Sequence, residues 1–259
     1  MLRRGRRYSG RGQKLNNKLA QFTDITVMLD RSGSMESIKK TMESALNELM
    51  IAHRKNPTTK FTLVQFDGEN PYELVFENRS ATEVPDIVIH PRGSTPLIDC
   101  LCRTIDKTGD RLRAMRESER PDQVLMIVIT DGQENSSREF TRKHVKDRIS
   151  KQRNEYNWQF MFLGADERSI AEATSWGISP DFTVQWAMGK SAVLMDNLTT
   201  KTASYVANNV GARGMSSSLN YTADDRQKLS EEDPKLGSGT GTGSAGSSTG
   251  STKGANGTS

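Results

Sequence analysis

Ile25-Thr26-Val27-Met28-Leu29-Asp30-Arg31-Ser32-Gly33-Ser34-Met35 is an apolar run that breaks abruptly into glycine and oxygen-bearing side chains. The apolar part, taken from Thr23 to Asp30, reads as a strand buried on both faces, the kind found in parallel sheets covered by helices. A helical pattern follows from Ser37 to Arg54, with Ile38, Met42, Ala45, Leu46 and Leu49 on one stripe. A buried strand leading through a polar turn into an amphipathic helix opens an alternating α/β domain.

The alternation continues along the chain. Lys60 to Asp67 reads as a second strand and Tyr72 to Glu77 as a third. The link Gly68-Glu69-Asn70-Pro71 is too short for a helical crossover, so this pair is expected to be antiparallel. A long helix runs from Pro96 to Met115, with proline where the first turn tolerates it. Gln123 to Thr130 is a nearly continuous apolar strand, followed by a basic helix from Thr141 to Glu155 and a strand from Trp158 to Leu163. Ile170 to Trp176 reads as a short helix closed by Gly177 in a left-handed cap. Phe182 to Trp186 is a last strand and Lys190 to Asn209 a last long helix. The expected fold is α/β, with a doubly wound, mostly parallel six-stranded sheet.

Three loops in this reading carry oxygen ligands. Asp30, Ser32 and Ser34 form a D-x-S-x-S loop after the first strand, Thr95 lies in Gly93-Ser94-Thr95-Pro96-Leu97, and Asp131 follows the fourth strand in Thr130-Asp131-Gly132. In an open parallel sheet such loops converge at the carboxyl edge, where ligands bind. Taken singly, each residue also reads as a helix cap or a turn residue. Taken together they make an all-oxygen shell suited to a hard cation, Mg²⁺ first, with Mn²⁺ or Ca²⁺ behind it. Glycine beside each loop lets backbone approach without a side chain in the way. Arg31 and Arg92 flank the loops, placed either to steer an acidic partner or simply to be solvated. Glu134 follows the third, near enough to add a carboxylate or a water contact. Solvation is the expected state of all three.

The five positions, in this order and strand context, resemble the metal-ion-dependent adhesion site of von Willebrand factor type A domains, over about residues 22–190. Leu29-Asp30-Arg31-Ser32-Gly33-Ser34-Met35 and Arg92-Gly93-Ser94-Thr95-Pro96-Leu97-Ile98-Asp99 are similar to the compact versions in bacteria and their phages. The resemblance implies sheet order 3-2-1-4-5-6 with the third strand antiparallel. It also implies a divalent ion completed by a carboxylate, Asp or Glu, from a protein partner.

The 259-residue chain carries a net charge of +4. Arg3, Arg4, Arg6, Arg7, Arg11, Lys14 and Lys18 alone exceed it, with no acidic residue among residues 1–21, so the remainder is mildly acidic. Residues 1–21 read as a disordered basic arm, 22–210 as the domain, 211–236 as an extension with a docked turn or short helix, and 237–259 as a disordered Gly/Ser/Thr tail. The arm, with Tyr8, allows salt-dependent contact with nucleic acid. Cys100 and Cys102 sit two apart on a helix and cannot easily pair, which excludes a disulfide framework. No apolar stretch approaches the ~20 residues of a membrane span, and the start lacks the apolar core of a secretory signal. The expected location is cytoplasmic or virion-associated.

Enzymatic patterns fail on specific positions. A haloacid-dehalogenase phosphatase needs a carboxylate where Ser32 stands, a P-loop ending in Gly189-Lys190-Ser191 needs glycine at Val184, and a serine-hydrolase elbow needs glycine two residues before its serine. His53, His90 and His144 are scattered. The expectation is a non-enzymatic, metal-dependent protein-binding module. Its alternatives are an accessory or structural subunit of a larger assembly (a chelatase-type ATPase complex or a phage virion) and a nucleic-acid-associated protein acting through the arm.

Overall fold

A computed structural model of the chain describes residues 22–207 and 215–230. The six strands are β1 (Thr23–Asp30), β2 (Thr59–Phe66), β3 (Glu73–Ser80), β4 (Gln123–Thr130), β5 (Gln159–Gly164) and β6 (Thr183–Gln185). They form one sheet in the order β3-β2-β1-β4-β5-β6, parallel throughout except for the β2–β3 pair. The expected order and the antiparallel third strand are both observed. The helices are α1 (Lys39–His53), α2 (Leu97–Ala114), α3 (Arg142–Tyr156), α4 (Glu167–Ser175), α5 (Ser191–Ala207) and α6 (Ala223–Ser230).

Right-handed crossovers decide which face each helix covers. α1 connects β1 to β2 in one direction across the sheet, whereas α3 and α4 connect β4 to β5 and β5 to β6 in the other. α1 therefore lies on one face, where it packs against α5, and α2 packs against α3 on the other. The two central strands are accordingly closed to solvent: all of β1 and all of β4 except Gln123 are buried. Among the described residues no helix is long and apolar enough to cross a membrane.

Strand register sets the site. Asp30 pairs with Phe66 and Leu29 with Ile129, so β1, β2 and β4 end level with one another. The chain leaves each at the same edge. β3 extends beyond the expected Glu77 to Ser80, because register shifts around Leu63 and a left-handed Asn78 (φ 51°) carry the pairing past an irregularity.

Residues 215–230 wrap back onto the domain. Leu219, Tyr221 and Leu229 are buried, Tyr221 N–H donates to the Asp181 carbonyl at 2.8 Å, and Ala187 N–H donates to the Leu229 carbonyl at 2.9 Å. Lys201 Nζ on α5 donates to Asn220 O and Asp225 Oδ2 at 2.6 and 2.9 Å. The basic arm and the Gly/Ser/Thr tail lie outside the described residues.

Candidate metal centre

The three loops meet at the carboxyl edge of β1 and β4. Asp30 closes β1 and is fully buried. Its Oδ1 accepts from the Ser32 backbone N–H at 2.7 Å, and its Oδ2 accepts from Thr130 Oγ1 at 2.6 Å. A 3₁₀ turn over Gly33–Ile38 bends the chain so that Ser32 Oγ and Ser34 Oγ stand 3.1 Å apart. Ser34 Oγ donates to Asp131 Oδ1 at 2.8 Å. A β-carbon placed on Gly132 would lie 3.2 Å from Thr95 Oγ1 and 3.9 Å from Asp30 Oδ2, so the second loop closes the group. All five sequence-derived positions are brought together.

The helix-cap alternative does not describe Ser32 or Thr95. Ser32 occupies the N-cap position of the 3₁₀ turn but makes no side-chain cap bond, and Pro96, not Thr95, precedes α2. The start of α2 is capped from elsewhere. Glu134 accepts from the Ile98 N–H at 2.8 Å and from the N–H groups of Ser136 and Ser137 at 2.9 and 2.8 Å. The expectation that Glu134 is solvated is thus corrected: a carboxylate at a helix N-terminus satisfies orphan donors and the dipole at once.

Arg31 and Arg92 also depart from expectation. Arg31 is buried, with its guanidinium on Asp67, Gln65 and Glu73, and the partly exposed Arg92 reaches the same Asp67. An arginine in a polar loop is solvated by default; here a buried carboxylate behind the loop captures it. Burial alone would raise the pKa of Asp67, but bonds from the Asn70 N–H, Arg31, Arg92 and the Glu69 N–H outweigh it and hold the group below its usual value.

Two further supports were not among the sequence-derived candidates. Asn135 clasps Thr95 through both ends: its Oδ1 accepts from Thr95 N–H at 2.9 Å and its N–H donates to the Thr95 carbonyl at 3.2 Å. Asp99, in the first turn of α2, accepts from the backbone N–H groups of Arg138, Glu139 and Phe140. Thr130 lay inside the quoted third motif without an assigned role, yet it is the hydroxyl that holds Asp30. A short polar side chain before an Asp after a strand was the available signal.

The donor set fits a cation. Asp131 Oδ2 is buried with no hydrogen-bond partner, a costly state that a positive charge relieves. Burial pushes Asp30 up to about 6, against the bonds from Thr130 and Ser32, with the nearby Asp131 charge adding to the rise. Burial likewise raises Asp131, opposed by Ser34. Among the described residues no three His, Cys, Asp or Glu side chains cluster as metal ligands. What the site has is two carboxylates and three hydroxyls, hard oxygen donors suited to Mg²⁺-like ions and unsuited to soft ones.

Residues 24–185 match the sequence profile of the von Willebrand factor type A domain. No curated protein sequence matches the chain. Among solved structures, the chain is similar to proximal thread matrix protein 1 from the mussel byssus, with a TM-score of 0.54 at 13% identity over 70% of this chain and 48% of that one. It is also similar to the pilus adhesin SpaC from Lactobacillus rhamnosus GG, with a TM-score of 0.55 at 14% identity over 72% of this chain and 31% of that one. The chain therefore spans half or less of the length of these structures, and at such identities the likeness concerns the fold. The profile match covers well over half of the chain, in the order of elements and loops found here: this protein belongs to the von Willebrand factor type A domain family.

Proposed function

We propose that the site binds one divalent cation, Mg²⁺ foremost, through Asp30, Ser32, Ser34, Thr95 and Asp131, and that the bound ion captures a carboxylate from a protein partner. The observation that carries this reading is the unpartnered, buried Asp131 Oδ2 beside three convergent hydroxyls. Asp30 has both oxygens engaged by Ser32 and Thr130, so it acts on the ion mainly through water, while the neutral hydroxyls supply direct ligands. A cation held mostly by neutral donors keeps a demand for an anionic oxygen from outside, which a partner Asp or Glu meets by a charge-assisted contact.

The role is binding without catalysis. Ser34 is exposed at the sheet edge, so the site opens to a surface, whereas a cavity of about 590 Å³ between α2 and α3, lined by Ile105, Leu112, Lys151, Tyr156 and Trp158 among others, contains none of the five residues. His53 is buried against Phe61 and Thr202, and His144 belongs to the capping box of α3, so neither serves as a base here. A pilus adhesin and a byssus matrix protein share the fold, in keeping with a role in adhesion or assembly. A structural subunit of a larger assembly would use the same site in the same way.

Calorimetric titration of the chain with Mg²⁺ and Mn²⁺ tests the reading. One site per molecule is expected in the wild type and none in Asp131→Ala, with both proteins melting alike in chelator. Absence of heat with either ion, or unchanged heat in the variant, overturns it.

A further inference from the structure

Behind the candidate metal centre one carboxylate holds two of its loops. Asp67 follows β2 and is fully buried. Its Oδ1 accepts from the N–H groups of Glu69 and Asn70 at 2.7 and 2.8 Å. Its Oδ2 accepts from Arg31 Nε at 2.5 Å and from Arg92 Nε at 3.1 Å. Arg31 belongs to the loop carrying Ser32 and Ser34; Arg92 belongs to the loop carrying Thr95.

The backbone repeats the connection. Arg92 N–H donates to the Arg31 carbonyl at 2.9 Å, and Gly33 N–H to the Gly93 carbonyl at 3.1 Å. The turn after β2 is packed onto the second loop so closely that a β-carbon on Gly68 would fall 2.3 Å from Ser94 Oγ and 2.6 Å from Ser94 N. Gly93 itself is left-handed, at φ 64°, and faces Gly68. The β2–β3 turn is thus a rigid block against which both loops are set.

We infer that Asp67 and Arg92 are positioning residues of the metal centre, fixing the separation of the Ser32 and Ser34 hydroxyls from that of Thr95. This rests on the cation reading above. Neither side chain is among the five ligands; each acts through the loop it ties. Mg²⁺ demands a near-ideal octahedron of oxygens, and partners outside the ligand shell commonly change metal affinity by factors of about 10 to 100.

Asp67 is a poor first target, because its removal takes one of two carboxylates from the buried Arg31 and the acceptor from the Glu69 and Asn70 N–H groups. Arg92 is better: its side chain is 41% exposed, and the Asp67–Arg31 pair survives its loss. The sign of the effect separates positioning from bare electrostatics. Deleting a cation near a metal site raises affinity for Mn²⁺ if only charge matters, and lowers it if the tie to Asp67 matters.

The experiment is Mn²⁺ titration, by calorimetry and by the electron paramagnetic resonance of the bound ion, on wild type, Arg92→Gln and Arg92→Lys, with melting curves in chelator. Arg92→Gln is expected to bind about tenfold more weakly with an altered spectrum. Arg92→Lys, which keeps a charge-assisted bond to Asp67, recovers most of the affinity, and all three melt alike without metal. Arg92→Gln binding as tightly as wild type or tighter, or both variants losing affinity equally, overturns the inference. A wild type silent to Mn²⁺ by both methods overturns the cation reading itself.

Discussion

Asp30 and Thr130, one hundred residues apart in the chain, are joined by a 2.6 Å hydrogen bond in which the Thr130 hydroxyl donates to Asp30 Oδ2. They end adjacent parallel strands whose register pairs Leu29 with Ile129. The bond lies in a fully buried setting, where a charge-assisted contact is stronger than in water and its loss more costly. It fixes the Asp30 carboxylate at the point where the three loops meet.

Thr130→Val keeps the shape of the side chain and removes the donor. The variant is expected to lose about 1–3 kcal/mol of stability in chelator, the cost of leaving a buried carboxylate oxygen short of its partner. Thr130→Ser restores the donor and should recover most of that loss. Urea denaturation of the three proteins is the measurement; equal midpoints would remove Thr130 from the account.

His53 gives a pH dependence of definite sign. It is fully buried between α1 and α5, with Nε2 3.0 Å from Thr202 Oγ1 and Nδ1 without a partner. Burial pushes its pKa down from 6.5 to about 4. The folded state prefers the neutral ring, so its contribution is complete above the unfolded pKa and declines as pH falls from about 6.5 towards 4, levelling below that. The loss is on the order of 3 kcal/mol. Denaturation of wild type and His53→Gln between about pH 7 and 4 isolates it, because carboxylates that titrate in that range, Asp30 included, are common to both. A wild-type-minus-variant difference that stays flat across the range contradicts the assignment.

The segment after α5 contributes to the core. Leu229 is fully buried, and the backbone around it is bonded to Ala187. Leu229→Ala is expected to cost about 2–5 kcal/mol, as for other buried leucines. Ending the chain at residue 214 should cost at least as much, since Leu219, Tyr221 and the Lys201–Asp225 pair go with it. Thermal melts in chelator measure both. A truncated chain that melts with the full one would make residues 215–230 an ornament on the domain.

The strand-and-helix alternation, the antiparallel β2–β3 turn and the five oxygen-bearing positions were all legible in the chain. Each is a local pattern: an apolar run too long for a half-exposed strand, a link too short for a crossover, a D-x-S-x-S after a buried strand. Parallel topology forces the loops after β1 and β4 to share an edge, which groups Asp30 with Asp131; Thr95 follows the antiparallel β3, and only its order and motif in the family resemblance joined it to them.

The surroundings of the site were decided only by the tertiary structure. Arg31, Arg92 and Glu134 are charged residues in polar loops, and nothing local distinguishes a captured charge from a solvated one. Their partners lie far along the chain: Asp67 is 36 residues from Arg31, Ile98 is 36 from Glu134, and Asn135 is 40 from Thr95. No periodicity links such pairs, because they meet through the level ends of β1, β2 and β4 and not through a repeating element. Sequence determines which side chains can offer oxygen or charge; strand register and loop packing determine which of them face one another, since the strength of each contact depends on a separation and a burial that only the folded chain sets.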